Sequence, residues 1–448
     1  MSQKPQGFLW GASTAAYQIE GAPKAEGKGA SIWDTFSHSP GRTIRGQTGD
    51  VACEHYKHWR GDVGLIKDLG LNAYRFSISW PRIFPDGRGR VNPKGLDFYS
   101  RLIDRLQANG ITPLITLYHW DLPQSLQDGG GWLNRRTIDD FADYARVCVG
   151  ALGDRAKHWI TINEPNVAVW CGYIHGTHAP GAKDRATGFQ VGHHMTMAHA
   201  RAVQACRSVR PKALYGVAPN VAQIFPRSNA AADRAEAEKQ FQEGPAWDLE
   251  PFLLGRYPKA VFERRHRAGE APLIAPGDLK EMKQPLDFLG LNYYFCRYVG
   301  RNAKGKAVEV PARLGKAKND LGWPDHPAGL KGMLLEVTRR YGRRPLIVTE
   351  SGMALFNEKP GRDGRVRDAR RTRYLQGHVR AMEEARAEGA DMRGFCVWSL
   401  MDNFEWAEGY KPRFGLTHVD YKTQKRTIKD SALWLREHIR GDRWCDKK

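Results

Sequence analysis

Short apolar segments typical of β-strands recur along the chain, and longer segments with helical patterning separate them. An apolar run of about four to eight residues between turn-forming or polar residues indicates a buried strand. The eight predicted strands comprise residues 8–11, 73–77, 113–117, 158–162, 216–219, 288–291, 346–348 and 394–397. Eight strands that alternate with helices favour an α/β fold in which one parallel sheet closes as a (β/α)8 TIM barrel.

No long linker or low-complexity segment divides the sequence, and we predict a single catalytic barrel domain over residues 1–448. Apolar residues at helical spacing predict helices over 101–110 and 141–153, each of which ends at a glycine. The longest segments outside strands, 21–51 and 302–323, are predicted to form long loops over the C-terminal face of the barrel. In this fold that face carries the active site.

Composition excludes several other classes of protein. The chain is 41% hydrophobic and 26% charged, which is ordinary globular usage and not that of a disordered chain. No run of about 18 apolar residues is present, and the N-terminus lacks the apolar core of a signal peptide. The seven cysteines are scattered and never spaced as CxxC. We therefore expect free thiols, no membrane association and a cytoplasmic location.

The chain is strongly basic, with 69 Lys and Arg against 49 Asp and Glu and a net charge of +20. Such a charge is typical of proteins that bind nucleic acid or another anionic partner. The basic residues nevertheless occur in small separate groups, and no zinc-finger, RRM or KH pattern is present. We predict a solvated basic surface and no specific nucleic-acid partner.

Two groups of histidines have the composition of a metal site without its spacing. The groups are Glu54 with His55 and His58, and His193 with His194 and His199. A His-x-x-x-His pair on a helix can bind zinc, but neither His193 nor His194 has this spacing from His199. No GxGxxG or Walker pattern is present either. We predict no metal and no cofactor.

Two glutamates directly follow predicted strands. Glu164 follows HWITIN and precedes Pro165, and Glu350 follows LIVT. On a barrel both carboxyl groups would point into the same mouth. Glycoside hydrolysis requires two carboxyl groups across a sugar, one protonated and one ionised. Either glutamate alone is more typical of a residue that caps the next helix.

The motifs around these glutamates resemble those of glycoside hydrolase family 1, the β-glucosidase and β-glycosidase family. They run from FLWGASTAAYQIEG at Phe8 to WSLMDNFEWAEGYKPRFGLTHVDY at Trp398, in the family's order and over nearly the whole chain. The resemblance implies a TIM barrel, no metal, and a retaining two-step mechanism. By match to TINEP, Glu164 is the acid/base, and by match to T-E-x-G, Glu350 is the nucleophile. Retention predicts that their carboxyl groups lie about 5–5.5 Å apart.

The resemblance also assigns supporting and sugar-binding residues. Arg75 matches the arginine beside the nucleophile, Tyr294 the phenol that hydrogen-bonds it, and Asn292 a supporting amide. The predicted substrate-binding residues are Gln18, His119, Trp120, Asn163, Trp323, Trp398, Glu405, Trp406 and Phe414. Without the resemblance, a structural ion pair and ordinary core packing would be the simpler interpretations.

Two of these residues narrow the predicted substrate. Glu405 stands where the family's 6-phospho branch carries serine, and a carboxylate repels a phosphate. Phe414 replaces the tyrosine of that branch's phosphate clamp. We predict a β-glucosidase acting on β-glucosides such as cellobiose and small β-linked oligosaccharides, with β-galactosidase or β-fucosidase side activity. The alternatives are a 6-phospho-β-glycosidase, a transglycosidase and a non-catalytic sugar-binding relative.

Two positions depart from the family pattern. Ser351 follows the predicted nucleophile where the family usually has asparagine, which predicts different hydrogen bonding around Glu350. Asn166 follows the NEP motif where many members carry tryptophan. This difference predicts a more polar wall in the leaving-group subsite and keeps the transglycosidase alternative open.

Overall fold

The structure, a computed structural model, describes residues 7–441 and is built around a sheet of eight parallel strands. The strands are β1 (Leu9–Ser13), β2 (Ala73–Ser77), β3 (Thr112–Tyr118), β4 (His158–Asn163), β5 (Leu214–Ala218), β6 (Leu289–Asn292), β7 (Leu346–Ser351) and β8 (Met392–Trp398). Their order in the sheet is β5–β4–β3–β2–β1–β8–β7–β6. All eight predicted strands are confirmed.

Backbone hydrogen bonds join β5 to β6 and bring the two edges of the sheet together. At one end, the N–H of Asp287 donates to the carbonyl of Tyr215 at 3.0 Å. At the other end, the N–H of Asn292 donates to Pro219 and the N–H of Val221 donates to Asn292, each at 3.0 Å. The sheet is therefore a nearly closed barrel, as predicted.

The connections between strands carry helices. The longer α-helices are Ile32–His38, His55–Asp68, Pro93–Ala108, Arg136–Leu152, Arg185–Val209, Ala231–Phe241, Trp247–Leu254, Lys259–Arg267, Pro327–Tyr341, Ala369–Ala387 and Asp430–Gly441. Shorter α-helices comprise Ala16–Ile19, Trp80–Ile83, Gln124–Asp128, Pro165–Val167 and Asp278–Met282. The predicted helices 101–110 and 141–153 correspond to the C-terminal parts of two longer helices, Pro93–Ala108 and Arg136–Leu152.

The helix Pro93–Ala108 shows how local sequence sets these elements. The side chain of Asn92 caps its N-terminus by accepting a hydrogen bond from the N–H of Lys94, and a proline occupies the first turn. Leu102 and Leu106 share a buried face with neighbouring apolar residues. Gly110, at φ 71°, then provides the left-handed conformation that ends the helical segment.

The two predicted loops contain more regular structure than the sequence indicated. Segment 21–51 includes the helix Ile32–His38, whose Trp33 ring lies 4.5 Å from that of Trp406. Segment 302–323 includes the strand Ala307–Glu309, so the prediction that this segment lies outside strands was wrong there. The strand forms a hairpin with its neighbour Cys296–Arg301, which pairs in turn with Gln223–Pro226. The flanking lysines and glycines hid this short strand in the sequence.

Two further observations concern the environment of the chain. Within residues 7–441, no helix is both long and apolar enough to cross a membrane. The six described cysteines, from Cys53 to Cys396, are all free thiols. Cys445 lies outside the described residues.

Candidate active site

A cavity of about 800 Å³ opens at the carboxyl ends of the barrel strands. The predicted residues that line it are His119, Trp120, Glu164, Tyr294, Trp323, Glu350, Trp398, Glu405, Trp406 and Phe414. The other four predicted residues, Gln18, Arg75, Asn163 and Asn292, are fully buried behind its wall. Each of them hydrogen-bonds to a residue that lines the cavity. The structure therefore brings all fourteen predicted residues together.

Glu350 lies near the end of β7 and is 3% exposed. The guanidinium of Arg75, on β2, pairs with one of its carboxylate oxygens. The hydroxyl of Tyr294 donates to the other oxygen at 2.8 Å. A cation and a hydrogen-bond donor on opposite oxygens stabilise the ionised carboxylate.

Glu164 directly follows β4 and has a left-handed backbone conformation, with φ 41°. Its carboxyl group accepts hydrogen bonds from two neutral amides, Asn220 at 2.8 Å and Asn292 at 2.9 Å. Burial, followed by the nearby charge of Glu350, raises the pKa of Glu164 to about 8. Glu164 therefore holds a proton near neutral pH.

The amide of Asn163 is fixed by its neighbours in a way that determines the state of His119. Its Oδ1 accepts from Arg75 Nη2 at 2.6 Å and from Asn292 Nδ2 at 3.0 Å. Its Nδ2 therefore faces His119 Nε2, 2.9 Å away, and donates to it. Burial and the charge of Arg75 hold the pKa of His119 well below its usual range. The imidazole is thus neutral with its proton on Nδ1, which is buried and has no partner among residues 7–441.

Gln18 and Glu405 form a second polar corner of the cavity. The Gln18 amide donates to Asn403 at 3.1 Å and to the carbonyl of Phe404 at 2.9 Å. Its Oε1 is buried and unpartnered within the described part of the chain, which leaves an acceptor for a ligand hydroxyl. Burial and the charges of Glu350 and Glu164 raise the pKa of Glu405 to about 8.

Aromatic side chains form the remaining walls. Trp120 donates its indole N–H to the carbonyl of Asn163 at 3.0 Å, and its ring lies 4.8 Å from that of Trp406. On the other side, the ring of Trp323 lies 5.4 Å from Tyr294 and 6.1 Å from Phe414. Indole faces of this kind pack well against the C–H face of a sugar.

Comparison with known proteins agrees with this geometry. The model of glycosyl hydrolase family 1 matches residues 1–443. The chain belongs to glycosyl hydrolase family 1. This membership confirms the resemblance noted in the sequence and makes the protein a glycoside hydrolase.

Similar proteins cover almost the whole chain. Beta-glucosidase A of Acetivibrio thermocellus is 44% identical, with 98% of each chain aligned. A bifunctional beta-D-glucosidase/beta-D-fucosidase of Bifidobacterium breve is 42% identical over 97% of this chain and 98% of its own. A beta-glucosidase from Thermotoga maritima, solved in complex with glucoimidazole, superposes with a TM-score of 0.91 at 45% identity. That comparison covers 97% of this chain and 98% of the other.

The structure also shows what the two departures from the family pattern do. Ser351 is fully buried and its hydroxyl lies 2.9 Å from that of Tyr374, on the helix Ala369–Ala387. Glu350 keeps both of its side-chain donors beside it. Asn166 lines the cavity, and its role in the leaving-group subsite remains a prediction.

Sequence reasoning missed Asn220, which donates to Glu164. It follows β5 in the run GVAPN, so the strand-end rule applied to Glu164 and Glu350 would have found it. The cavity's outer wall was also missed, because it is built from loop and helix residues without a strand-end signal. It includes Trp170, Cys171, His178, Arg185, Asp248 and Arg265.

The histidines considered for metal binding have protein partners instead. The pairs are His55 with Asp62, His193 with Asp278, His194 with the carbonyl of Trp132, and His199 with Thr161. Across residues 7–441, no group of three or more His, Cys, Asp or Glu side chains is arranged to hold a metal ion.

Proposed function

We propose that this family 1 enzyme is a retaining β-glucosidase, which releases terminal non-reducing β-D-glucosyl residues from β-glucosides and small β-linked oligosaccharides. The difference between the two carboxyl groups carries the proposal. Glu350 is paired with the Arg75 cation, whereas Glu164 contacts neutral amides and has a pKa of about 8. One group is thus prepared to attack and the other to donate a proton.

In the first step, a carboxylate oxygen of Glu350 attacks the anomeric carbon and the bond from that carbon to the leaving oxygen breaks. Glu164 transfers its proton to the leaving oxygen, so the aglycone departs as a neutral alcohol. Arg75 and Tyr294 hold Glu350 in place during this attack. His119, which lines the cavity, is proposed to bind a sugar hydroxyl, and Asn163 hydrogen-bonds to it from behind.

In the second step, the glycosyl ester on Glu350 is neutral. The negative charge that raises the pKa of Glu164 has then disappeared, so this pKa falls and Glu164 is a carboxylate. It takes a proton from a water molecule, whose oxygen attacks the anomeric carbon and displaces Glu350. Both glutamates return to their starting protonation states, and the sugar keeps its β configuration.

The polar corner supports a neutral sugar. Gln18 and Glu405 present an amide oxygen and a carboxyl group, which suit hydroxyls better than a 6-phosphate. Phe414, which lines the same cavity, has no donor for a phosphate. The glucosidase and fucosidase names of the similar proteins support glucosides first and fucosides as a side activity.

A separate proposal concerns location. The six free cysteines among residues 7–441 support a reducing compartment, and we propose that the enzyme is cytoplasmic. We also propose that cellobiose is a natural substrate. The appearance of activity in the secreted fraction of the native cell would contradict this placement.

The proposed activity is tested with p-nitrophenyl β-D-glucoside, using wild type and Glu350→Gln side by side. We expect rapid hydrolysis by wild type and almost none by the variant, because a carboxamide is not a competent nucleophile. The 6-phosphorylated substrate serves as a parallel assay. Hydrolysis of the 6-phosphoglucoside alone would overturn the neutral-sugar proposal, and no turnover of either substrate by folded wild type would overturn the catalytic one.

A further inference from the structure

Asn166 holds the main chain of Asn220 at two points. Its Nδ2 donates to the Asn220 carbonyl at 2.8 Å, and its Oδ1 accepts from the Asn220 N–H at 3.2 Å. The side chain of Asn220 in turn donates to Glu164 Oε1 at 2.8 Å. A continuous set of hydrogen bonds therefore leads from Asn166 to the carboxyl group proposed as the acid/base.

The main chain of Asn220 fixes the orientation of the Asn166 amide. The Asn220 carbonyl only accepts and its N–H only donates, so the NH2 end of the amide must face the carbonyl and its oxygen must face the N–H. Asn166 Nδ2 also donates to Asp248 Oδ2 at 3.2 Å. Asp248 lies in the helix Trp247–Leu254, and the contact ties two segments of the cavity wall together.

Asn220 lies just beyond β5, where it forms an isolated bridge with Asn292. The backbone bonds of that bridge are made by Pro219 and Val221, so the N–H and the carbonyl of Asn220 itself bond to Asn166 instead. These two bonds help to orient the Asn220 carboxamide. A larger indole at position 166 could not reproduce this pair of bonds, since tryptophan has one donor and no acceptor.

We propose that Asn166 is a positioning residue for the acid/base. Its two hydrogen bonds to the main chain of Asn220 orient the Asn220 carboxamide so that it donates to Glu164. This inference rests on the proposed function of Glu164. The hydrogen bond favours the ionised carboxylate. Its loss raises the pKa of Glu164, so a smaller fraction of this group is ionised and able to act as the base of the second step.

The test separates this bond from the other groups that act on Glu164. The titratable and charged groups that face it are Glu350, Arg75, Tyr294, Glu405 and Cys171, and all remain in the variants below. Asp248 itself has a pKa raised to about 7 by burial. The pH profile is therefore also recorded for Asp248→Asn, which keeps an acceptor oxygen for Asn166 but does not titrate.

The experiment compares Asn166→Ala, Asn220→Ala and the double variant in the full chain. With 2,4-dinitrophenyl β-D-glucoside, whose leaving group needs no proton, we expect kcat to fall about tenfold and added azide to restore it, because azide needs no general base. With cellobiose, the basic limb of kcat/KM moves to higher pH in both single variants. The double variant matches Asn220→Ala, because both substitutions remove the same bond.

Additive effects in the double variant, or an unmoved basic limb, would overturn the inference. Asn166→Ser provides a second variant if the alanine protein folds poorly, and thermal unfolding monitors all of them. Gln242→Ala is the matched control, because among residues 7–441 the Gln242 amide hydrogen-bonds only to Glu238. Glu164→Gln distinguishes a failure of the proposed function from a failure of the positioning role. If Glu164→Gln still hydrolyses cellobiose, the proposed function is refuted. If Glu164→Gln is inactive on cellobiose but Asn166→Ala has the pH profile of wild type, only the positioning role is refuted.

Discussion

Arg75 and Glu350 form an ion pair whose side chains are 0% and 4% exposed, and they lie on two separate barrel strands. The same guanidinium donates to Asn163 and, at 3.2 Å, to Thr116. One buried cation therefore orients the proposed nucleophile and the amide that fixes the tautomer of His119. Buried charges are costly unless they are paired in this way.

The Arg75–Glu350 ion pair predicts that replacing Arg75 lowers the stability of the protein. Arg75→Met leaves the Glu350 carboxylate buried without a cation, and we expect a destabilisation of about 3–5 kcal/mol in urea unfolding. The double variant Arg75→Met/Glu350→Gln carries no unpaired charge and regains part of that stability. An Arg75→Met protein as stable as wild type would show that the charge of Arg75 does not support Glu350.

The pKa of Glu164 predicts the basic side of the pH profile. The first step needs protonated Glu164, so kcat/KM for cellobiose falls as the pH rises through about 8. In Glu350→Gln the neighbouring negative charge is absent, and the pKa of Glu164 shifts downward. NMR titration of ¹³C-labelled glutamate measures this shift, with Glu164→Gln used to assign the signal. An unchanged or higher pKa in Glu350→Gln would contradict the electrostatic coupling.

Glu405 is expected to bind the 6-hydroxyl of the sugar. Glu405→Gln replaces a carboxyl group by an amide, and we expect kcat/KM for p-nitrophenyl β-D-glucoside to fall about tenfold or more. The 6-deoxy-β-D-glucoside, which lacks only the 6-hydroxyl, loses less. An equal loss on both substrates would show that Glu405 does not contact the 6-hydroxyl.

Ser351 is expected to matter for packing more than for chemistry. Because Ser351 is fully buried beside Tyr374, the larger asparagine common in the family should displace its neighbours, and Ser351→Asn should cost about 1–3 kcal/mol of stability. Ser351→Ala loses only the hydrogen bond, at about 1 kcal/mol. Thermal unfolding measures both. A more stable Ser351→Asn protein would show that the site can expand.

The sequence predicted the barrel well because its strands are continuous apolar runs. It also predicted the residues at strand ends, such as Glu164 and Glu350, since their position follows from the strands alone. The contacts of Asn166 with Asn220 and Asp248 were not predictable in the same way. They form only where three separate chain segments meet. The separation of about 5–5.5 Å between the two carboxyl groups remains a prediction.

The roles of the two glutamates are tested most directly by trapping the intermediate. In a 2-deoxy-2-fluoro-β-D-glucoside, the fluorine slows both steps, and a good leaving group speeds up the first step again. The second step is then the slower one, so the glycosyl ester accumulates. Mass spectrometry of the digested protein should place the added fluoroglucosyl group on the peptide that contains Glu350. A label on another residue, including Glu164, or inactivation without any covalent label would contradict a nucleophilic Glu350.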